Sequence, residues 1–392
     1  MLPVRDIILN WQLGGNFGWG LLGLNLFGQW ANDAQIRPLM GLPISAGQLN
    51  GIDPLRRSRI AAAVNASNEY WERLGTAGHS ECLEAVQIDG MGGDFQPAAQ
   101  RRARLMIARP IFESSAIANA RESLARYDLL FTASTWTATQ LRDATGREVR
   151  IIHEGVDESV FCPGPRSGWL DPGRFYVFSG GKVEFRKAQD LVIRAFARFA
   201  GRHPDAVLVT AWHSPWIELS RGFRGTLAVP LTVRSDGLLD IRRWAVDNGV
   251  PAHQVIDLGH APNVLLPGVL REMHVALQPS RAEACTNLTV KEAMACGLPV
   301  IAACNTGMLD LLTDDNSIPL RRQSAVPDDG TAGTEGWGES DLEEIDAALE
   351  FAYQDRSAAA AIGARAREWL IQQGRTWRQH AATLKEWVLA HE

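Results

Sequence analysis

Pro279-Ser-Arg-Ala-Glu283-Ala-Cys-Thr-Asn287-Leu-Thr-Val-Lys-Glu292-Ala-Met-Ala-Cys-Gly297-Leu-Pro299-Val-Ile-Ala-Ala303 reads as a loop, a helix and a strand in immediate succession. The polar start runs to Thr286. Thr286 or Asn287 is a good N-cap for a helix over Leu288 to Cys296. Gly297 ends that helix and Pro299 opens a short apolar strand, so the stretch is one step of an alternating α/β chain. A helix N-terminus placed there offers unpaired N–H groups and the positive end of a dipole, a seat for a phosphate or a polarised sugar oxygen. Two carboxylates flank it, Glu283 in the loop and Glu292 in the second turn of the helix.

Working outward, 392 residues exceed one ordinary domain and predict about two. The 46% hydrophobic and 21% charged residues describe a soluble globular chain with ample core. A net charge of -6 gives no polybasic signature and argues against nucleic acid as a partner. The five cysteines form no C-x-x-C or zinc spacing, so a reducing cytosol is the simplest compartment. No signal peptide is legible, because Asp6 interrupts the start. Leu13 to Trp30 is apolar, but its glycines, Asn16, Asn25 and Gln29 fit a buried glycine-rich loop and helix better than a membrane span.

Val4 to Trp11 reads as a first strand, followed by glycines at 14, 15, 18, 20 and 23. Gly18, Gly20 and Gly23 match G-x-G-x-x-G literally, as a dinucleotide site would. No acidic residue between Asp33 and Asp53 is available for a ribose, and Trp19 sits inside the motif, so a tight strand-to-helix turn is the expectation. Helices are predicted over 53–74, 115–126 and 135–145, the last capped by Ser134, and strands over 83–88, 104–109, 129–133 and 149–152. His153-Glu-Gly-Val-Asp157 then reads as a hinge. Beyond it strands are predicted over 175–179, 207–211, 255–258 and 275–278, and helices over 188–199, 239–248 and 264–272. A helix over 308–312, an acidic glycine-rich loop over 328–340 and helices over 342–353, 358–372 and 376–390 complete the chain.

The expected organisation is therefore α/β, with an N-terminal Rossmann-like domain over 1–155, a second over 156–375, and a C-terminal helix over 376–392 that packs back on the first domain. Two parallel sheets facing a cleft would bind ligand outside the carboxyl ends of their strands. Gly181 to Lys187, Gly259-His260 and Glu283 to Thr289 each follow a predicted strand of the second domain. Lysine occurs only at 182, 187, 291 and 385, which marks the closely spaced Lys182 and Lys187. Lys182, Arg186 and Lys187 can neutralise a diphosphate. The amides of Asn287, Leu288 and Thr289 can donate to it or to a sugar, and the carboxylates can accept from vicinal hydroxyls.

These residues carry a family resemblance. Pro-Ser-Arg-x-Glu283 followed by Glu292-Ala-Met-Ala-Cys-Gly-Leu-Pro-Val-Ile resembles the carboxylate-pair motif of retaining family 4 glycosyltransferases of GT-B fold. Gly181-Lys182 with Lys187 resembles their glycine-arginine and lysine pair, and His153-Glu-Gly-Val-Asp157 with Phe161 their interdomain segment. The similarity covers most of 127–320, whereas the first 126 residues match only in general pattern. It implies transfer of a hexose from a nucleotide diphosphate sugar to a hydroxyl acceptor, with retention and without an essential metal, as in polysaccharide biosynthesis. Glu292 would hold the donor ribose, Glu283 the transferred sugar, and Lys187 and Lys182 the leaving diphosphate, with Gly259 and His260 lining the donor. Neither His153 nor His260 has metal-ligand spacing, and no D-x-D pair is present.

The sequence departs from the pattern in three places. Eight residues separate Glu283 from Glu292 where seven are usual, Lys182 replaces arginine and so loses the bidentate fork, and Ala188 stands where glycine usually follows the lysine. On the acceptor side Gly15, Trp19 and Glu113 are the candidates, and no histidine takes that role. The acceptor itself, glycan, lipid-linked or small molecule, stays open, with a cytoplasmic location and peripheral membrane contact compatible with it. A non-catalytic nucleotide-sugar or glycan-binding module on the same scaffold and an NAD(P)-dependent oxidoreductase using Gly18, Gly20 and Gly23 are the alternatives.

Overall fold

The computed structural model describes residues 4–392 apart from 16, 50–51, 78–81, 215, 224 and 328–332; the last range removes part of the acidic loop expected over 328–340, and Asn16 falls within the glycine-rich run. The chain divides into two compact units. Unit 1 takes Met1–Gly155, Pro262–Val264 and Gly374–Glu392, and unit 2 takes Val156–Ala261 and Leu265–Gln373.

In unit 1 the elements run β1 Arg5–Leu9, α1 Gly18–Trp30, β2 Ile36–Met40, α2 Pro54–Ala77, β3 Leu83–Met91, β4 Ala103–Pro110, α3 Ala120–Leu124, β5 Leu129–Thr132, α4 Thr135–Thr145 and β6 Arg150–Ile151. The sheet order β2-β1-β3-β4-β5-β6 is parallel throughout. Ser134 caps α4 as predicted, its hydroxyl accepting the Thr137 amide, and Gly146 closes the helix in the left-handed region. The strand β2 was not legible, since Pro38 sits in its middle. Only Ala120–Leu124 of the helix expected over 115–126 is helical.

The glycine motif is corrected by the structure. Gly18 is the first residue of α1, so Gly20 and Gly23 lie inside a helix and not in the tight strand-to-helix turn expected for them. Their lack of a side chain has a packing cause: a Cβ on Gly20 would meet the Gly14 carbonyl oxygen at 2.3 Å, and one on Gly23 would meet the Leu13 side chain at 2.6 Å. What the structure replaces is the turn: the three glycines fall on the first two turns of α1.

Unit 2 contains β7 Phe175–Lys182, α5 Gln189–Ala200, β8 Ala206–His213, α6 Ile241–Asp247, β9 Val255–Asp257, α7 Leu266–Glu272, β10 Val275–Gln278, α8 Leu288–Ala295, β11 Val300–Ala303 and β12 Ile318–Leu320. Next come the strands β13 Gln323–Ala325 and β14 Gly338–Ser340, paired as an antiparallel ribbon, and the helices α9 Leu342–Gln354 and α10 Arg356–Gln372. The helix α11 Trp377–Leu389 returns the chain to unit 1, where the Trp30 indole donates to the Ala381 carbonyl at 3.1 Å.

The six-stranded sheet of unit 2 has the order β12-β11-β10-β7-β8-β9 and is parallel throughout. That is a doubly wound sheet whose order reverses between β7 and β10. Strand periodicity sorts its core: Phe175 and Val177 join one apolar layer with Phe196 and Phe199 of α5, while Tyr176 and Phe178 join the opposite layer with Val290 and Met294 of α8. The sheet is covered on both faces by apolar layers.

Candidate functional site

The site is built where the strand order of unit 2 reverses. There β7 delivers residues 182–187 and β10 delivers residues 279–287. β7 runs three residues further than the predicted 175–179, through Lys182, with Gly181 in the left-handed region at φ 123°. At Gly180 a Cβ would lie 3.1 Å from Cγ2 of Thr289, so the bare glycine lets the first turn of α8 approach this strand.

Glu283 is the hub and is only 5% exposed. Lys187 Nζ donates to both its carboxylate oxygens, at 2.7 and 2.9 Å, and Arg186 Nη1 donates to Oε2 at 2.8 Å. Asn287 Nδ2 donates to Oε1 at 2.8 Å. The Glu283 amide donates to Thr306 Oγ1 at 2.8 Å, and its carbonyl accepts the Gly307 amide at 2.9 Å. Burial pushes the Glu283 carboxyl up, but Lys187 and Arg186 outweigh it and hold the group below the ordinary carboxylate range. Burial in turn lowers the Lys187 ammonium, against the pull of Glu283.

A second carboxylate organises the cations. Glu184 pairs with Lys182 and accepts from Arg186 Nη2 at 2.7 Å. Burial raises its pKa, yet the charges of Arg186 and Lys182 bring it down to about 2. Lys182 also stands 5.1 Å over the ring of Trp216, beyond the end of β8. Three cations and two carboxylates thus form one chain of contacts, Lys182, Glu184, Arg186, Glu283 and Lys187.

Asn287 is the N-cap of α8: its Oδ1 accepts from the amides of Thr289 and Val290. The amides expected to meet a ligand are therefore partly taken, since Thr289 donates to Asn287 and the Asn287 amide faces Met308 Sδ at 3.3 Å. Leu288 opens the helix, and Glu292, 3% exposed, lies one turn along it. Gly259 and His260 follow β9, with Gly259 at φ 60° and the ring of His260 4.7 Å from that of His213. Burial, then the charge of His260, lowers the His213 pKa. The acceptor-side candidates belong to unit 1. The Gly15 amide donates to the Gln48 carbonyl at 2.8 Å, the Trp19 carbonyl accepts from the Trp11 indole at 3.0 Å, and Glu113 follows β4, half-buried.

Several residues escaped the sequence reading. Glu184 carried no assignment, although it stands between Lys182 and Arg186. Thr306, which holds the Glu283 amide, is in the left-handed region at φ 39°, a strained conformation for a β-branched residue. Ala188 adopts φ 58°, a left-handed conformation that favours glycine, at the position where the resemblance expected glycine. Arg281 was legible only as a motif letter, and His153 turns out to hold the Ala133 carbonyl through Nδ1 at 3.0 Å within unit 1. No group of three His, Cys, Asp or Glu that could hold a metal ion occurs among the described residues, and no described helix is long and apolar enough to cross a membrane.

Two doubly wound parallel sheets define a GT-B fold. The solved sucrose-phosphate synthase of Thermosynechococcus elongatus matches 99% of this chain and 100% of its own with a TM-score of 0.66 at 17% identity. Anabaena HepE in complex with UDP matches 99% of this chain and 100% of its own with a TM-score of 0.63 at 14% identity.

In sequence the chain resembles the family 4 glycosyltransferases. The family described as "Family 4 Glycosyltransferase in conflict systems" matches residues 266–384. A GDP-mannose-dependent alpha-(1-6)-phosphatidylinositol monomannoside mannosyltransferase of Mycolicibacterium smegmatis is 27% identical over 275 residues, 66% of this chain and 61% of that protein. The match thus spans less than two thirds of that relative's length.

Proposed function

We propose that this chain is a glycosyltransferase that moves a hexose from a nucleotide diphosphate sugar to a hydroxyl acceptor, with retention and without an essential metal. The observation that carries the reading is the contact chain of Lys182, Glu184, Arg186, Glu283 and Lys187 at the ends of β7 and β10, the strands flanking the reversal of unit 2. Doubly wound sheets take nucleotides at that point.

Glycosyl transfer builds positive charge on the sugar and negative charge on the departing diphosphate. Lys187 and Lys182, oriented before the reaction by Glu283 and Glu184, stabilise the second charge. Glu283 accepts from sugar hydroxyls once the diphosphate draws Lys187 away, and Glu292 accepts from the ribose. Gly259 and His260 line the base. Gly15, Trp19 and Glu113 are the acceptor-side candidates.

The Mycolicibacterium relative is named for GDP-mannose and a phosphatidylinositol mannoside, and HepE was solved with UDP. These direct the donor panel to GDP- and UDP-sugars and the acceptor panel to inositol-type polyols, free and lipid-linked. A cytoplasmic enzyme in peripheral contact with the membrane would reach the latter.

The test is nucleotide release and thermal shift across such a panel. Lys187→Ala should slow release by about 100-fold, and Glu292→Ala should raise the KM for donor. The reading is sunk if no nucleotide sugar raises the Tm while NAD(H) does. One observation favours a non-catalytic binding module as second reading: both oxygens of Glu283 already have partners. A raised Tm with no release of nucleotide for any acceptor would select it.

A further inference from the structure

Two loops carry the charges of this site, and one buried side chain fastens them together. Arg281 is 1% exposed and stands two residues before Glu283. Its Nη1 donates to the Phe185 carbonyl at 2.7 Å and to Asp190 Oδ1 at 2.8 Å, and its Nη2 donates to Asp190 Oδ2 at 2.7 Å. Nε meets Glu339 Oε2 of β14 at 2.8 Å, and Nη2 lies 2.7 Å from the same oxygen. The guanidinium carbon is 3.9 Å from the ring centroid of Phe185. Backbone bonds continue the fastening: the Arg281 amide donates to the Arg186 carbonyl at 2.7 Å, and the Gly338 amide donates to the Arg281 carbonyl at 2.9 Å.

Every N–H of this guanidinium faces a protein oxygen, so none is left over for a ligand. Apart from Glu339 and Gly338, the partners lie on either side of Lys187: Phe185 and Arg186 precede it, and Asp190 stands in the first turn of α5 just after it. We propose that Arg281 is a positioning residue that holds Lys187 at bonding distance from Glu283 and so sets the cation for an incoming diphosphate. The inference rests on the donor site proposed above. Arginine is required for this because its planar fork grips the Asp190 carboxylate with two parallel bonds while its remaining N–H groups reach Phe185 through Nη1 and Glu339 through Nε and Nη2; a lysine keeps the charge and loses the geometry.

A double-mutant cycle on the full chain tests it. The affinity for UDP, GDP and ADP is measured by titration calorimetry for the unsubstituted chain, for Arg281→Lys, Glu339→Gln and Lys187→Ala, and for each of the first two combined with Lys187→Ala. With Lys187 present, Arg281→Lys should weaken binding about tenfold and Glu339→Gln about threefold. With Lys187 replaced, both effects should vanish, because the arginine acts through the lysine. An equal loss in both backgrounds, or no loss in either, overturns the positioning role. Should Arg281→Lys lose its native circular dichroism, the Glu339→Gln cycle decides alone, since that side chain is partly exposed and its loss leaves the Asp190 pair intact. If the unsubstituted chain binds none of the three nucleotides, the donor site falls and this inference falls with it. An additive cycle on a chain that does bind them removes the inference alone.

Discussion

Asn287 serves two elements with one amide group. Its oxygen accepts from the Thr289 and Val290 amides at 3.0 and 3.4 Å, and its nitrogen donates to Glu283 at 2.8 Å. Aspartate caps a helix as well as asparagine does, so capping alone predicts that Asn287→Asp is neutral. Here the new carboxylate would face Glu283 without a proton between them. We expect Asn287→Asp to be destabilised by about 1–2 kcal/mol at pH 7, read as a lower urea midpoint; a midpoint equal to that of the unsubstituted chain would refute the dual role. Asn287→Ala loses the cap and the donor together and should cost about 1–2 kcal/mol as well. The cap itself was legible in the sequence, because Asn before an apolar helical run is a local signal. The bond to Glu283 was not, since it depends on how the preceding loop folds back.

At the scale of elements, α1 shows how a local rule can be overruled. Helix propensity alone gives Gly20→Ala a gain of about 1 kcal/mol. The close Gly14 carbonyl reverses the sign, because backbone cannot move aside as a flexible side chain can. We expect Gly20→Ala to lower the Tm, whereas Gly18→Ala, with no neighbouring atom within 4 Å, should leave it unchanged or raise it. Equal Tm values for the two variants would show that the α1 contact with residue 14 is not tight. The turn expected over Gly18 to Gly23 gives way to helix for this reason: glycine is demanded by a tight turn and by close packing alike, and sequence spacing does not separate the two. Long amphipathic helices such as α5 and α9 were read within a residue or two, whereas β2 and the ribbon β13–β14 were missed because a proline and a few polar residues hide short strands.

Across the whole molecule, a half-buried histidine makes stability depend on pH. His274 lies against the rings of Phe175 and Tyr176, and its Nδ1 accepts from the Tyr176 amide at 3.0 Å. Burial, then the charges of Arg166 and Arg356, pushes its pKa down to about 4, with Asp205 pulling weakly the other way. The folded value lies below the unfolded one, so the native state holds this ring neutral. Its contribution is complete above about pH 6.5 and drains as pH falls through 6.5 toward 4. From pH 7 to pH 5 we expect a loss of about 2 kcal/mol from this group. The fall of the urea midpoint over that interval should flatten in His274→Gln; an equally steep fall in that variant would refute the assignment. What the sequence by itself determined was the alternation of helices and strands, two sheets' worth of chain, and the residues 182–187 and 279–292 as strand-end loops bearing charge, because apolar period, caps and glycines act over a few residues. Only the tertiary structure decided which of those charges meet. Lys187 and Glu283 are joined at 2.7 Å across nearly a hundred residues because β7 and β10 are neighbours at the point where the strand order reverses, and no local pattern specifies strand order.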